Sequence, residues 1–280
     1  MQTLYYLIKI IRPLNVLISG SAIICSAAIL NSLHQISTLV ITTLVVMCYT
    51  AAANTINDAL DVNIDKVNRP LRPIPSGKLN KRVAINFSFL LFAFGSVLCI
   101  QLPTTAIFIG VFLSMPLLII YSIHLKGQPL IGNFMVSLII GLSFIFCGAS
   151  FDNISPLWIP GFLSFGLTLI REIVKDIADI DGDNSVGHQT FPIKYGIDKT
   201  IKLIFIISLF VGLFAMYPYI VNIYNFWYVI IVIIGVEIPL IVVVFLLRFK
   251  PINSSAILGA KILKFSSIMG LLAIYMGSIS

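Results

Sequence analysis

The residues best suited to do chemistry lie between Asn54 and Asp65, where the chain reads N-T-I-N-D-A-L-D-V-N-I-D. On an α-helix, residues separated by four, seven and eleven positions project from one face, and Asn54, Asp58, Asp61 and Asp65 have these separations. Carboxylates on one stripe repel each other, so they are stable together only where cations neutralise them. Oxygen ligands without His or Cys suit a hard ion such as magnesium. This stretch therefore predicts a magnesium site.

The same acidic spacing recurs later in the chain. Asp176, Asp179 and Asp183 repeat the pattern D-x-x-D-x-x-x-D, and Glu172 stands about one helical turn before them. Two acidic faces that look across a shared cavity would hold divalent ions between them. We therefore expect the two acidic stretches to form one site.

A segment rich in proline follows the first acidic stretch. After Asp65 the chain reads K-V-N-R-P-L-R-P-I-P-S-G-K, and its prolines and glycine exclude a continuous helix. We predict a rigid loop that holds Arg69 and Arg72 near the carboxylates, where a planar guanidinium can bind a diphosphate or hold the loop closed. The alternative is that both residues only anchor the chain at the membrane surface.

Other basic residues are placed where they can meet the same site. Lys9 and Arg12 are three positions apart and share a face of the N-terminal segment, and the sequence favours phosphate contact and simple anchoring equally for them. Lys126 is the one basic residue of its loop and falls at the same predicted depth as the acidic stretches. Arg171 and Lys175 are four positions apart and face the same way before the second stretch.

The elements that must position these groups are membrane helices. With 59% hydrophobic and 10% charged residues and a mean hydropathy of +1.04, the chain is not an ordinary soluble domain. We predict an all-α membrane protein, one domain over residues 1–280, with nine transmembrane helices bundled around a central apolar cavity. The predicted spans are 13–31, 37–57, 82–101, 104–123, 131–150, 157–178, 199–221, 226–247 and 258–278.

The basic residues also predict an orientation. If the N-terminus is cytoplasmic, all 18 Lys and Arg residues fall in cytoplasmic segments, whereas the Gln101–Thr104 and Pro218–Phe226 loops contain none. We therefore expect a multi-pass protein of the cell membrane whose acidic helix ends open to the cytoplasm. The net charge of +7 then reflects mainly topology, with attraction to anionic lipid or substrate as a second interpretation, and nucleic-acid binding is a poor interpretation.

Two aspartate clusters, magnesium and nearby basic side chains meet the needs of an allylic diphosphate. Bound ions neutralise the charge that develops on the leaving diphosphate, so the carbon–oxygen bond can break. Surrounding apolar helices hold an isoprenoid tail and exclude water. The expected reaction is prenyl transfer within the membrane. An ion-coupled secondary transporter is a remote alternative, because its carboxylates would usually lie near the bilayer midplane.

Both acidic stretches resemble the motifs of a known family. N-D-A-L-D-V-N-I-D at Asn57–Asp65 resembles the NDxxDxxxD motif of the UbiA superfamily of intramembrane prenyltransferases. K-D-I-A-D-I-D-G-D at Lys175–Asp183 resembles its second aspartate-rich motif, and the resemblance extends over nearly the whole chain. Other matching segments are the Arg69–Gly77 loop, Tyr121 with Lys126, and P-I-K-Y-G at Pro192–Gly196.

The resemblance implies two magnesium ions on the diphosphate of a prenyl donor. The expected metal ligands are Asn54, Asn57, Asp58, Asp61, Asp65, Asp176, Asp179 and Asp183. The expected substrate contacts are Lys9, Arg12, Arg69, Arg72, Lys126, Arg171 and Lys175. The residues expected to act in catalysis are Asp58, Asp61, Asp176, Asp179, Lys126 and Tyr121.

Within the superfamily, R-E-I-V-K-D-I-A-D-I-D-G-D is similar to archaeal digeranylgeranylglyceryl phosphate synthases. This resemblance implies transfer from geranylgeranyl diphosphate to geranylgeranylglyceryl phosphate, a step of ether-lipid synthesis. Such an acceptor carries a phosphate that Lys9, Arg12 and Arg171 could bind, although the family pattern often has Tyr at position 171. Aromatic-acceptor enzymes of the 4-hydroxybenzoate, homogentisate or chlorophyll type are the alternative, because some of them share part of the motif.

The sequence leaves several features undecided. It does not determine the chain length of the donor, the stereochemistry, the oligomeric state, or the roles of Glu237 and His124. The expected partners are the isoprenoid donor, a lipid-like acceptor and the membrane lipids, with no nucleic acid. No segment predicts an obligate protein partner.

Overall fold

The structure is a computed structural model that describes residues 2–250 and 253–278. Throughout these two ranges the chain forms helices and their connections, and no β-strand. The helices, numbered along the chain, are α1 (Gln2–Ile10), α2 (Pro13–Ile29), α3 (Ile36–Leu60), α4 (Val62–Asn68), α5 (Lys81–Cys99), α6 (Thr104–Leu125), α7 (Ile131–Ser150), α8 (Trp158–Ala178), α9 (Ile180–Ser185), α10 (Phe191–Tyr195), α11 (Ile197–Ile220), α12 (Phe226–Phe249) and α13 (Asn253–Ser278).

Most of these helices have the length and composition of membrane spans. In the part of the chain that the structure describes, eight helices qualify, and α1 with α2 would add a ninth if the pair, bent by 50°, is one span. The predicted all-helical membrane class is therefore confirmed. The count of nine spans, the central cavity and the cytoplasmic N-terminus stay predictions, as does the single domain over residues 1–280.

Local sequence signals determine where several helices begin. Pro13 opens α2, a position where its missing N–H costs no hydrogen bond. The side chain of Asn80 accepts a hydrogen bond of 2.8 Å from the backbone N–H of Arg82 and so caps α5. Asn225 caps α12 in the same way, because its side chain accepts from the backbone N–H of Trp227 at 2.9 Å. Polar residues thus mark the boundaries between long apolar runs.

Two of the long helices widen shortly before a proline. The turns at Phe108–Ser114 in α6 and at Ile233–Glu237 in α12 have π-helical geometry. Pro116 and Pro239 follow these turns, and a proline lacks the N–H that would complete the regular α-helical pattern. The widened turns let both helices continue through the proline as single elements.

The chain divides into two compact units. The first consists of residues 2–126, 145–155 and 181–187, and the second consists of residues 127–144, 156–180 and the described residues from 188 onward. In the first unit α3 packs along α5, and the hydroxyl of Ser88 donates a hydrogen bond of 2.9 Å to the carbonyl oxygen of Ala52. The core between them includes Val45 and Phe92, which are 0% and 2% exposed.

In the second unit α8 packs between α11 and α13. Gly166 of α8 lies against the side chain of Val211 in α11, where an added Cβ would come within 2.6 Å of Val211 Cγ2. The hydroxyl of Tyr228 in α12 donates a hydrogen bond of 2.7 Å to the carbonyl oxygen of Ala215. Small residues and one satisfied hydroxyl therefore allow close approach between apolar helices.

We predict that Gly141→Ala destabilises the second unit. A Cβ at this position would lie 2.9 Å from the backbone carbonyl oxygen of Gly161, and backbone atoms cannot move aside as a flexible side chain can. The expected loss is about 1–3 kcal/mol of unfolding free energy, measured by detergent titration. Gly270→Ala is the control, because its nearest neighbour would be Val236 Cγ2 at an ordinary 3.7 Å. Equal stability of both variants would contradict this packing.

Candidate functional site

Both acidic stretches have the same local backbone structure. Helix α3 ends at Leu60 and α8 ends at Ala178, so each long helix stops just before the second aspartate of its motif. Asp61 and Asp179 then adopt similar conformations, with φ −82° and ψ 12° in the first and φ −105° and ψ 6° in the second. The expectation of one uninterrupted helical stripe is therefore wrong in detail. Neither break is marked by a Gly or Pro at the aspartate itself.

The break is small because helical hydrogen bonds span it. The backbone N–H of Asp61 donates to the carbonyl oxygen of Asn57, and that of Asp179 donates to the carbonyl oxygen of Lys175, both at 2.9 Å. The short helices α4 and α9 then carry the third aspartate of each motif. Asp65 is 1% exposed and Asp183 is 5% exposed. Each motif thus ends in a carboxylate that is withdrawn from solvent.

In the first unit, arginines neutralise the buried carboxylates. Asp58 Oδ1 accepts from Arg12 and, at 3.0 Å, from Nη1 of Arg72. Arg72 Nη1 also lies 2.6 Å from Asp65 Oδ2, and Arg69 Nη1 lies 3.6 Å from Asp65 Oδ1. The predicted loop therefore brings both of its arginines to the motif, and Arg72 bridges two carboxylates.

Burial changes the acid–base properties of this pair. Burial raises the pKa of Asp65, and the charge and hydrogen bond of Arg72 oppose that rise. Burial also lowers the pKa of Arg72, and the neighbouring positive charge of Arg12 lowers it further. The mutual ion pair offsets part of the cost of removing both charges from water.

Lys126 completes the basic surroundings of the first motif. Its ammonium group pairs with Asp61 Oδ2 and donates to Asn57 Oδ1 at 3.1 Å. Lys126 directly follows the last turn of α6, Tyr121–Leu125, which also carries the half-buried Tyr121. Lys126 therefore contacts the acidic motif directly, although the chain separates the partners by 65 residues, and its contact with substrate phosphate stays a prediction.

The N-terminal segment also reaches the first motif. The side-chain amide of Asn54 donates to the backbone carbonyl oxygen of Ile11 at 3.0 Å. Arg12 adopts a left-handed conformation with φ 55°, which is uncommon for a residue other than glycine. Lys9, by contrast, is exposed near the end of α1. Of the two N-terminal basic residues, the structure thus places Arg12 at the motif.

In the second unit, Asp176 and Glu172 contact an amide and two cations. Asp176 Oδ2 accepts from the side-chain amide of Asn133 at 2.8 Å. Glu172 pairs with both basic residues of α8, at 3.0 Å with Arg171 Nη1 and 2.6 Å with Lys175 Nζ. Asp179 is half-buried. Glu172 therefore holds the two cations that the sequence assigned to substrate.

A contact within the first unit joins the ends of the two motifs. Asn68, the last residue of α4, lies so close to Gly182 in α9 that an added Cβ would overlap its side-chain amide. Asn68 is three positions after Asp65, and Gly182 directly precedes Asp183. The third aspartates of both motifs therefore belong to one packed region. Sequence reasoning missed Asn68, and no local signal marks it.

Glu237 and His124 are the remaining polar candidates of the sequence. Glu237 lies in the second unit, and its carboxylate occupies the space that the missing side chain of Gly212 leaves. His124 is exposed on the last turn of α6. Neither observation assigns a chemical role.

The first motif offers the oxygen donors that a hard divalent ion prefers, but its carboxylates do not converge on one point. Asn54, Asn57, Asp58, Asp61 and Asp65 offer oxygen atoms only, which is the chemistry that magnesium prefers. Among the residues that the structure describes, no three His, Cys, Asp or Glu side chains converge as ion ligands. The basic partners instead hold the carboxylates, and those same cations suit phosphate oxygens.

Comparison with known proteins agrees with this chemistry. Residues 18–268 match the UbiA prenyltransferase family. The digeranylgeranylglyceryl phosphate synthase of Methanosphaera stadtmanae is 37% identical over 230 residues, which are 81% of this chain and 83% of that protein. The protein of the same name from Methanopyrus kandleri is 30% identical over 268 residues, covering 95% of this chain and 96% of its own.

Solved structures show the same fold. A structure from work on digeranylgeranylglyceryl phosphate synthase in membranes aligns with a TM-score of 0.79 at 32% identity, covering 100% of this chain and 99% of that one. A UbiA homologue from Archaeoglobus fulgidus, solved with GPP and Mg2+, aligns with a TM-score of 0.65 and covers 96% of this chain and 99% of its own. At 14% identity, the second likeness concerns the fold alone.

We predict that Gly182→Ala displaces α9 from Asn68 and lowers the thermal stability of the chain. The added methyl group would overlap the Asn68 amide, and the expected cost is about 1–3 kcal/mol. Asn68→Ala in the same chain removes the overlapping atoms, so the double variant should regain part of the loss. Thermal unfolding in detergent measures both. If Asn68→Ala restores nothing, the two residues are not coupled through this contact.

Proposed function

The chain belongs to the UbiA prenyltransferase family, and we propose that it transfers a geranylgeranyl group from geranylgeranyl diphosphate to geranylgeranylglyceryl phosphate. The family and the relatives make the chain a prenyltransferase and a multi-pass membrane protein. The proposed product is digeranylgeranylglyceryl phosphate, as the name of the relatives at 30% and 37% identity implies for those proteins. The reaction would be a step of archaeal ether-lipid synthesis.

One observation carries the proposed chemistry. Buried carboxylates and basic side chains alternate at the first motif, where Arg72 joins Asp58 to Asp65 and Lys126 pairs with Asp61. A set of carboxylates suits divalent ions, and a set of guanidinium and ammonium groups suits phosphate oxygens. A metal-bound diphosphate needs both sets together.

We further propose that both motifs serve one diphosphate with two magnesium ions. The shared backbone geometry at Asp61 and Asp179 and the contact between Asn68 and Gly182 support this proposal. Bound magnesium supplies Lewis-acid stabilisation of the negative charge that grows on the leaving diphosphate. The proposed ligands are Asn54, Asn57, Asp58, Asp61, Asp65, Asp176, Asp179 and Asp183.

The basic side chains have a second task in this proposal. Arg12, Arg72 and Lys126 keep the carboxylates neutralised and oriented, and guanidinium and ammonium groups also donate to phosphate oxygens. Arg69, whose side chain is 35% exposed, lies at the edge of this group. These donors would stabilise the departing diphosphate while the carbon–oxygen bond breaks. Tyr121, just before Lys126, is proposed to assist at the same place.

The acceptor phosphate is proposed to meet the remaining basic residues. Arg171 contributes a guanidinium whose Nε is buried without a hydrogen-bond partner, although its Nη1 pairs with Glu172. Lys9 is exposed at the end of α1, one turn from Arg12. Lys175, paired with Glu172, is proposed to contact the donor. The positive-inside distribution of Lys and Arg supports an opening on the cytoplasmic side of the cell membrane.

The acceptor test uses purified protein in lipid nanodiscs with radiolabelled geranylgeranyl diphosphate and magnesium. We expect label to pass to geranylgeranylglyceryl phosphate, because basic side chains are available for its phosphate, and 4-hydroxybenzoate or homogentisate to remain unlabelled. Thin-layer chromatography of the lipid extract measures the product. Transfer only to an aromatic acceptor would reject the lipid proposal while leaving the prenyltransferase assignment intact.

We expect Asp58→Asn and Asp176→Asn each to lower turnover by about 100-fold or more, since each removes a negative charge without changing side-chain size. In both variants the asparagine oxygen can still accept a hydrogen bond, so the chain should fold and insert, with lower thermal stability for Asp58→Asn because Arg12 and Arg72 lose a counter-charge. Diphosphate release measures turnover, and thermal unfolding checks the fold. Asp198→Asn is the matched control, because this carboxylate is 85% exposed and pairs only weakly with Arg248 at 3.9 Å. Near-normal turnover of both site variants would contradict the metal role.

A further inference from the structure

Helix α1 has an exposed apolar face. Leu4, Tyr5 and Ile8 are 63%, 60% and 51% exposed. Tyr5 is one position and Ile8 four positions after Leu4, so the three side chains project from the same side of the helix. Three adjacent large apolar side chains on one short helix are costly to leave in water. This face therefore needs an apolar environment that the first unit itself does not supply.

The opposite face of α1 is fixed to the first unit. Ile10 is 1% exposed and lies in a core cluster with Ala59 of α3 and Ile74 of the proline-rich loop. Tyr6 and Leu7 pack against the same cluster. The helix is thus held by one side, so the exposed side has a definite direction relative to the first motif.

Two lysines lie where the exposed face of α1 meets its packed face, at the boundary marked by the rings of Tyr5 and Tyr6, whose centres are 5.1 Å apart. Lys9 is exposed, and it is four positions after Tyr5 and so on the same side of the helix. Lys78, also exposed, reaches α1 from the proline-rich loop, where its ammonium lies 5.9 Å from the centre of the Tyr6 ring. An apolar strip bordered by ammonium groups is complementary to a bilayer surface that carries negative headgroups.

We propose that α1, together with Lys9 and Lys78, binds the surface of a bilayer that contains anionic lipids. Leu4, Tyr5 and Ile8 enter the boundary between headgroups and acyl chains, and Lys9 and Lys78 contact lipid phosphates. The bend of 50° between α1 and α2 directs α1 away from the axis of the following helix, as an interfacial position requires.

Binding of α1 to the membrane would also hold in place the contacts that the N-terminal segment makes with the first motif. The chain leaves α1 through Ile11, whose carbonyl oxygen accepts from Asn54, and Arg12, which pairs with Asp58. The left-handed conformation of Arg12 is uncommon and needs surrounding contacts to maintain it. When α1 is bound to the membrane surface, Arg12 is therefore held where it positions Asp58 of the first motif. This second part rests on the proposed function, whereas the membrane binding of α1 does not.

The membrane-binding test uses Tyr5→Trp in the full chain, with Trp158→Phe and Trp227→Phe so that one tryptophan reports. The protein is placed in nanodiscs of phosphatidylcholine alone or mixed with phosphatidylglycerol, with acyl chains brominated near the headgroup in each case. We expect stronger quenching of the emission of this single tryptophan in the anionic discs. Water-like emission without quenching in both lipids would overturn the proposal.

Charge is tested by Lys9→Gln with Lys78→Gln in the reporter chain. Each lysine near an anionic surface strengthens the binding of α1 to the membrane by about fivefold. Tryptophan quenching of the double variant in anionic discs should therefore fall to the level seen in neutral discs. Lys199→Gln with Lys202→Gln is the matched control, because it removes two exposed lysines from α11. If Lys9→Gln with Lys78→Gln gives the same quenching as the control variant, α1 binds lipid without regard to its charge, and the proposal that it prefers anionic lipid is wrong.

The coupling to the site has its own measurement. Leu4→Ser with Ile8→Ser should speed amide hydrogen exchange of residues 11–16 in anionic discs, since those amides lie where α1 joins α2. Unchanged exchange, together with lost quenching, would overturn the coupling and leave the membrane binding of α1 standing. Because neither readout uses prenyl transfer, a failure of the proposed reaction would be distinguishable from a failure of this inference.

Discussion

The structure depends on how buried carboxylates of the first motif are paired with cations. Asp58, Asp61 and Asp65 are 3%, 7% and 1% exposed, and an isolated carboxylate with so little solvent would be very unfavourable. Arginine and lysine from three separate segments converge to neutralise them. Metal-bound diphosphate chemistry uses the same two sets of groups, so the interactions that make the motif stable also make it suitable for catalysis.

Repetition is the second organising feature. Each motif places its second aspartate at a helix break and its third in a short, buried helix. Arginines and a lysine pair with the first motif, and the amide of Asn133 donates to Asp176 of the second. Internal duplication and convergence on one chemical need would both produce such a likeness. The contact between Asn68 and Gly182 shows that the repeated ends are also packed together.

Much of this arrangement was predictable because it depends on local pattern. The apolar runs predicted the helices, the aspartate spacing predicted the motifs, and the prolines predicted the loop that carries Arg69 and Arg72. The break at Asp61 was not predictable, since a helical pattern continues through it without Gly or Pro. Lys175 and Arg171 were assigned to substrate, whereas the structure pairs both with Glu172. That pairing is local, but helix spacing does not say which neighbour a charged side chain selects.

The sequence by itself determined the membrane class, the two acidic motifs and the likeness to a prenyltransferase family. These follow from composition and from residues that are near each other along the chain. Only the tertiary structure decided which cation meets which carboxylate, because Arg12 and Asp58 are 46 positions apart and Lys126 and Asp61 are 65 apart. It also decided that Gly182 lies against Asn68. Contacts of this kind arise when distant helices pack, and spacing within one helix carries no information about them.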